Sequence, residues 1–122
     1  MAKILIAEDE TISQKVAKKM VEKSGHTVYI SPNGRHAYET LKSNQDFELL
    51  ITDFMMPEMD GRELVVAVRN DLKYQKLPIV IMSAYITVKE ISDLLEKGAT
   101  AFQAKPLNEN ALLEVVNRYL NG

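Results

Sequence analysis

The chain contains no cysteine among its 122 residues. Without thiols the protein forms no disulfide, uses no cysteine nucleophile and holds no cysteine-ligated zinc. Long hydrophobic runs are also missing, since the first apolar stretch, directly after Met1-Ala2-Lys3, has only about five residues. Such a run is too short for a signal-peptide core and far too short for a membrane span. We therefore expect a cytoplasmic protein without a membrane partner.

A strong charge of either sign is absent as well. Lysine and arginine number 15 and aspartate and glutamate 17, which leaves a formal net charge of -2 at pH 7. No arginine-rich or aromatic-interleaved tract is present, so we expect no direct contact with nucleic acid. The apolar content of 46% and charged content of 26% are those of an ordinary globular domain.

The sequence does contain a regular alternation of short apolar runs and segments of helical period. Strands are predicted at 3–8, 27–30, 48–52, 78–82 and 100–104, and helices at 10–24, 34–43, 62–73, 88–97 and 108–121. This alternation is typical of a parallel α/β sheet. No linker or repeat interrupts it, so we expect a single domain over residues 1–122. Right-handed crossovers favour a doubly wound, five-stranded parallel sheet of order 2-1-3-4-5, a flavodoxin-like (βα)5 fold.

Helix faces and helix ends can also be predicted. The first helix carries an apolar stripe made of Val16, Ala17, Met20 and Val21. The buried row of the last helix is predicted to consist of Leu112, Val116 and Leu120. Gly98 is suited to end the fourth helix, and the side chain of Asn108 is suited to cap the start of the last one.

Polar side chains follow the predicted strands. They are Glu8 at the end of the first strand and Asp9 directly after it, Asp53 after the third strand, Ser83 after the fourth and Lys105 after the fifth. A charge at the end of a buried strand is costly unless something pairs with it or binds it. Because parallel strands end at the same edge of a sheet, these groups are expected to lie together where open α/β sheets bind ligands. Three acids, a hydroxyl and an ammonium group there predict a cation and phosphoryl site.

The acids have candidate roles with alternatives. Asp53 is the candidate phosphoryl acceptor, because a carboxylate can attack an activated phosphate to form an acyl phosphate; a turn residue that closes the third strand is the alternative. Glu8 and Asp9 are candidate Mg²⁺ ligands or water-mediated supports, since hard cations prefer oxygen donors. The alternative is that Asp9 or Thr11 caps the first helix. Capping does not explain why two acids face a third.

Ser83 and Lys105 also have candidate roles with alternatives. Ser83 is a candidate donor to a phosphoryl oxygen, with capping of the next helix as the alternative. Lys105 is expected to pair with Asp53 at rest and with the phosphoryl group afterwards, unless it is simply solvated. The Lys105-Pro106 bond is a candidate cis peptide. Each signal is weak alone, and the prediction depends on their joint occurrence at separate strand ends.

These residues resemble the receiver domain of two-component response regulators, the CheY-like family. The motifs that carry the resemblance are Glu8-Asp9, Asp53 before Met-Met-Pro-Glu-Met-Asp-Gly, Ser83-Ala84 and Lys105-Pro106. The spacings of 44, 30 and 22 residues between Asp9, Asp53, Ser83 and Lys105 fit that family. The resemblance covers essentially the whole chain, and it extends both to stand-alone receivers and to receivers of hybrid sensor kinases.

The resemblance implies a phosphorelay role. Asp53 would accept a phosphoryl group from a phosphohistidine on a sensor histidine kinase or a histidine phosphotransfer protein. Mg²⁺ would be bound by Asp9, Asp53 and the backbone carbonyl of Met55, with Glu8 assisting through water. Phosphorylation would then change a surface that binds a downstream protein target, and a dimer of the phosphorylated form is a further possibility.

The resemblance also implies a switch formed by Ser83 and Phe102. On phosphorylation Ser83 would move toward the phosphate and the ring of Phe102 would turn inward. Without the resemblance, Phe102 reads as an ordinary core aromatic. Two positions depart from the commonest family pattern, because the acidic pair is Glu-Asp rather than Asp-Asp and Phe102 stands where tyrosine is frequent. Neither departure removes the carboxylate chemistry.

Apolar side chains that lie off the predicted core stripes are candidates for contact with partner proteins. Ile12, near the acidic pair, is a candidate for insertion into a phosphotransfer helix bundle, or else it packs against a neighbouring loop. An apolar output face is predicted from the last and fourth helices, made of Ala111 and Val115 with Ile91 or Leu94. The alternative for Val115 is a core stripe that is wider than usual.

The predicted function is therefore that of a phospho-acceptor switch with slow self-dephosphorylation, and not of an enzyme that turns over an external substrate. The alternative is a phosphorylation-independent interaction module of the same fold; such modules usually lack the acceptor, an acid or the lysine. A phosphatase with an aspartate nucleophile would want a second acid two residues after Asp53, where Met55 stands. A flavin carrier would need a Ser-, Thr- and Gly-rich loop after the first strand, and that stretch is acidic.

Overall fold

The computed structural model describes residues 2–44 and 46–121. Strands and helices alternate along this part of the chain as β1 Lys3–Ala7, α1 Thr11–Glu22, β2 Thr27–Ser31, α2 Gly34–Ser43, β3 Leu49–Asp53, α3 Gly61–Arg69, β4 Ile79–Ser83, α4 Val88–Lys97, β5 Ala101–Ala104 and α5 Glu109–Asn121. The predicted single domain also includes Met1, Gln45 and Gly122, which lie outside the described residues. Among the described helices, none combines the length and the hydropathy that crossing a bilayer requires.

The five strands form one parallel sheet of order β2-β1-β3-β4-β5. This confirms the predicted topology. The register brings the carboxyl ends level, since Ala7 pairs with both Ser31 and Thr52, and Ser83 pairs with Ala104. Side chains at or just after these strand ends therefore share one edge of the sheet.

Helices cover both faces of the sheet. Alternate residues of the central strands point to opposite faces, so that Leu50 packs with α2 and α3 while Ile51 packs with α1 and α5. Strands β3 and β4 are buried along their whole length, as expected for the interior of a doubly wound sheet. This burial explains why their sequences are continuously apolar rather than alternating.

Several predicted boundaries need correction. Helices α2 and α4 have the predicted bounds, whereas the predicted helix at 62–73 is wrong over residues 70–73: α3 ends at Arg69 and a short 3₁₀ turn covers Leu72–Tyr74. The carboxylate of Asp71 accepts a hydrogen bond from the backbone amide of Lys73 at 3.0 Å and starts this new turn. Asp side chains compete with the helical backbone in this way.

The core face of α1 is narrower than the sequence pattern indicates. In α1, Ala17 and Val21 are buried but Val16 is 42% exposed, so its place in the predicted stripe is wrong. Val16 lies on the flank of the helix, where it lines a surface groove together with Ile12. The predicted caps are confirmed: the Asn108 side chain accepts from the amide of Ala111 at 2.9 Å, and Gly98 ends α4 with a φ of 121°.

Candidate functional site

The carboxyl edge of the sheet gathers the predicted polar residues. Asp53 is the last residue of β3 and is only 9% exposed, and Glu8, directly after β1, is 1% exposed. Ser83 is the buried last residue of β4, and Lys105 directly follows β5. Asp53 and Ser83 therefore belong to their strands rather than following them, a shift of one residue from the prediction. Asp9, next to Glu8, is exposed.

Lys105 joins two of the acids. Its ammonium Nζ lies 2.6 Å from Glu8 Oε1 and 3.0 Å from Asp53 Oδ2, so the predicted resting pair with Asp53 is present. Burial is the largest single influence on the pKa of Lys105 and lowers it, but hydrogen bonds to Glu8 and Asp53 and their charges outweigh burial and raise the pKa above the ordinary value. Lys105 is therefore an ammonium ion at neutral pH.

Three carboxylates crowd around this single ammonium group. Glu8, Asp9 and Asp53 each offer a carboxylate oxygen, and these oxygens lie within 4.8 Å of one another. Burial raises the pKa of Asp9, and the hydrogen bond and charge of Glu8 add to the rise, against the lowering effects of a backbone hydrogen bond and of Lys105. Within residues 2–44 and 46–121, Lys105 is the basic side chain in ion-pair contact with these acids. The site carries an excess of negative charge that a divalent cation can neutralise.

The remaining oxygens of two acids are held by the backbone. Asp53 Oδ1 accepts from the amide of Phe54 at 2.8 Å, and Glu8 Oε2 accepts from the amide of Glu10 at 3.0 Å. Helix α1 starts after Glu10 without a side-chain cap. The alternative in which Asp9 or Thr11 caps this helix is therefore wrong, which leaves Asp9 available for another role.

Ser83 does not cap the next helix either. Thr87 caps α4 through a reciprocal pair of hydrogen bonds with Glu90, so the capping alternative for Ser83 is wrong. The Ser83 hydroxyl donates to the carbonyl of Tyr85 and accepts from its amide, both at 3.3 Å. These distances are long for a hydroxyl, so little free energy holds it in this orientation. The backbone carbonyl of Ser83 accepts from the amide of Lys105 at 3.0 Å.

Other predicted site residues lie around this centre. The Met55 side chain is exposed, in the β3–α3 loop that lines a depression of about 370 Å³ together with Asp9. A metal-binding role of its carbonyl stays a prediction. Phe102 lies in β5, half-buried against the core that includes Leu94, and its switch role also stays a prediction. The Lys105-Pro106 peptide bond is cis, as predicted.

The partner-facing residue predicted on α1, Ile12, lies beside a surface groove. Ile12 is 72% exposed, and with Val16, Pro106 and Leu107 it lines a groove of about 590 Å³ that reaches Glu8 and Lys105. The position of Val16 explains its exposure, because it lies one turn after Ile12 on the same flank.

The predicted output face requires correction. Leu94 is 2% exposed, so its place on that face is wrong. Val115 is half-buried against the core, which favours the wider stripe, and Ile91 is half-buried. Val88 and Leu95, both exposed on α4, were not predicted from the sequence. The capping motif from Thr87 to Glu90 was the available signal, because it places the start of the helix at Val88. Residues seven apart in a helix share one face, so Leu95 lies on the same face as Val88.

Comparison with known proteins agrees with this geometry. The model of the response regulator receiver domain matches residues 4–117. The chemotaxis protein CheY homolog of Campylobacter jejuni is 33% identical over 113 residues, which are 92% of this chain and 87% of that protein. The solved receiver domain of a signal transduction histidine kinase from Syntrophus aciditrophicus is 30% identical, with a TM-score of 0.91 over 100% of this chain and 92% of that chain.

A more distant structure shares the same fold. The receiver domain of the sensor histidine kinase PA1611 from Pseudomonas aeruginosa PAO1 is 21% identical, with a TM-score of 0.90 over 99% of this chain and 98% of that chain. That structure holds a magnesium ion in its active-site cleft. From the match over residues 4–117 and the relatives above, the chain belongs to the receiver domain family of two-component response regulators, the switches of phosphorelay signalling.

Proposed function

We propose that this receiver domain accepts a phosphoryl group on Asp53, in a Mg²⁺-dependent reaction, from a phosphohistidine of a sensor histidine kinase or a histidine phosphotransfer protein. One observation carries the proposal: the Asp53 carboxylate is 9% exposed, hydrogen-bonded to Lys105 at 3.0 Å, and close to two further acids. A structural strand end needs no such cluster, because three neighbouring carboxylates repel one another.

The transfer step is a displacement at phosphorus. A carboxylate oxygen of Asp53 attacks the phosphorus atom, the new P–O bond forms, and the P–N bond to the donor imidazole breaks. The electron pair of that bond stays on the imidazole nitrogen, which takes up a proton. The Lys105 ammonium already contacts the attacking carboxylate of Asp53 at 3.0 Å, so its charge is in place to stabilise the phosphoryl oxygens.

The acids fit a magnesium ion. Asp9 and Asp53 would supply carboxylate ligands and Met55 a backbone carbonyl, which are the hard oxygen donors that Mg²⁺ prefers. Both oxygens of Glu8 already accept hydrogen bonds, from Lys105 and from the Glu10 amide, which suits a water-mediated contact. When bound, the ion neutralises charge on the carboxylates and on the incoming phosphoryl group.

Ser83 and Phe102 would convert the phosphoryl group into a surface change. The weakly held Ser83 hydroxyl would turn to a phosphoryl oxygen, and Phe102 would move further into the space beside Ile91. That movement would alter the face of α4, where Val88 and Leu95 are exposed. A downstream protein, or a second copy of the phosphorylated chain, would bind this altered face.

The phosphodonor would dock on the groove beside α1. Ile12 and Val16 form an exposed apolar ridge there, and the groove that they line reaches Lys105 at the acceptor site. A helix of the donor protein fits such a ridge. The cytoplasmic location and the absence of direct nucleic-acid or membrane partners stay predictions.

The test is intact-mass spectrometry after incubation with acetyl phosphate. Wild type is compared in Mg²⁺ and in excess EDTA with Asp53→Asn and with the control Asp46→Asn, an exposed aspartate away from the site. We expect one phosphoryl adduct on wild type and on the control, dependent on Mg²⁺ and absent from Asp53→Asn. An unmodified wild type would contradict the proposal and favour a phosphorylation-independent interaction module.

A further inference from the structure

The β3–α3 loop, residues 54–60, rests directly on the first residue of α2. A Cβ atom added to Gly34 would lie 2.0 Å from the carbonyl oxygen of Met59 and 2.8 Å from its carbonyl carbon. Both neighbours are backbone atoms, so neither can turn aside as a flexible side chain would. Gly34 therefore allows a contact between helix α2 and the loop backbone that no other residue permits.

The other end of the loop closes on the phospho-acceptor strand itself. A Cβ atom on Gly61 would lie 2.6 Å from the carbonyl oxygen of Asp53, and the Gly61 amide donates to the carbonyl of Phe54 at 2.7 Å. The loop that carries Met55 is thus bounded by two glycine contacts, one at the acceptor and one on α2. Backbone contacts at these two glycines therefore help to set the path of the loop.

Within this loop the backbone is strained at one residue. Glu58 has a φ of 71°, a left-handed conformation that a non-glycine residue adopts only at a cost in free energy. The Met59 amide donates to the carbonyl of Pro57 at 2.8 Å in a tight turn. Such a conformation persists only where the surroundings impose it, and here Met56 and Met59 pack half-buried against the core on either side.

We propose that Gly34 and the left-handed Glu58 are positioning residues for the magnesium site. By holding Met59 in place, helix α2 sets the path of the loop and so the position of the Met55 carbonyl. Pro57 has a fixed φ and the backbone of Glu58 is already strained, so the dihedral angles of these two residues cannot change to compensate for a displacement of Met59. A displacement of Met59 therefore also displaces Met55. This inference rests on the proposed function, because it takes the Met55 carbonyl as a ligand.

The first test measures Mg²⁺ affinity by isothermal titration calorimetry without any phosphodonor, together with thermal unfolding of the metal-free protein. Gly34→Ala is compared with Gly25→Ala, a matched control: Gly25 has a φ of 87° and nothing within 4 Å of an added Cβ. We expect both substitutions to lower the melting temperature, Gly34→Ala through the clash with Met59 and Gly25→Ala through its positive φ. We expect Gly34→Ala to lose affinity by about tenfold or more, as changes beside metal ligands do, and Gly25→Ala to keep it.

If Gly34→Ala does not fold, two variants at Glu58 test the same inference. Glu58→Asn keeps a residue that tolerates positive φ, whereas Glu58→Gly frees the loop to leave the left-handed conformation. We expect Glu58→Asn to retain the affinity and Glu58→Gly to lose it several-fold without a lower melting temperature.

The outcomes separate this inference from the function on which it rests. If wild type binds Mg²⁺ and Glu58→Gly and folded Gly34→Ala bind it equally well, the loop is only structural and the inference is wrong. If wild type binds no Mg²⁺, the proposed magnesium dependence fails, and the inference falls with it.

Discussion

Two lysines at opposite edges of the sheet place the same chemical group in two different electrostatic environments. Lys3 begins β1, and its Nζ lies 2.8 Å from Asp46 and 4.6 Å from the ring centre of Phe47. Its partner Asp46 is a single carboxylate that is 73% exposed at the side chain. Lys3 and Asp46 form a one-to-one ion pair, and water screens it.

At the other edge Lys105 faces an excess of negative charge. It contacts Glu8 and Asp53 while Asp9 lies near both acids. Glu8 is almost completely buried, so its charge is shielded little by water. An arrangement with more acids than cations costs stability when no cation is bound, which supports the proposal that this site binds a cation. The difference between the edges lies in charge balance and burial, not in the lysine itself.

The largest predicted effect is on the rate of phosphorylation, when Lys105 is replaced and Lys3 is replaced as its counterpart at the other edge. We expect Lys105→Met to slow phosphorylation of Asp53 by acetyl phosphate about 100-fold, because a preorganised charge at the transition state is lost. Lys3→Met should leave the rate unchanged. Initial rates from intact-mass spectra in saturating Mg²⁺ provide the measurement, and equal losses in the two variants would remove the contrast between the edges.

The next largest predicted effect is the stabilisation of the folded protein by bound Mg²⁺. Mg²⁺ at 100 times its dissociation constant should stabilise the folded wild type by about 2.7 kcal/mol, since it binds the folded state alone. Asp9→Asn should lose most of this gain, and Asp46→Asn should keep all of it. Thermal unfolding in Mg²⁺ and in EDTA measures both, and a full gain in Asp9→Asn would show that Asp9 is not a ligand.

A smaller effect appears in the metal-free protein as pH changes. The pKa of Asp9 is raised above its ordinary value of 3.8, chiefly by burial. The folded state therefore binds more protons than the unfolded state just above pH 3.8, and stability from this group falls as pH rises through that window. We expect Asp9→Asn to raise the melting temperature in EDTA at pH 7, with the difference shrinking toward pH 4. A lower melting temperature at pH 7 would contradict this.

The smallest effect, of opposite sign, belongs to the other edge. The hydrogen bond from Lys3 lowers the pKa of Asp46 below 3.8. Its stabilising contribution is present above the ordinary pKa and is lost as pH falls through the lowered one. We expect Asp46→Asn to lower the melting temperature slightly at pH 7 and not at all in strong acid. Chemical shifts of the Asp46 carboxyl carbon across the titration report the pKa directly, and an ordinary value would refute the pairing.

Local patterns determined much of what could be predicted about the fold. Alternating apolar runs and helical segments predicted the strand order, because right-handed crossovers leave few arrangements of five βα units. Caps such as Asn108 and the placement of Asp53 at a strand end are likewise local signals. The predicted site residues could be named because each stands next to a strand end, where the sheet topology alone brings them to one edge.

Local sequence patterns were thus enough to predict the elements, their order and the edge where the polar groups meet. How these groups meet depends on the folded molecule: Glu8 contacts Lys105 across 97 residues of chain, Val16 faces water while Leu94 is buried, and Gly34 supports the backbone of Met59. Burial and contact between distant segments depend on how helices pack on the sheet. That packing follows from the shape of the whole core, which no local pattern contains.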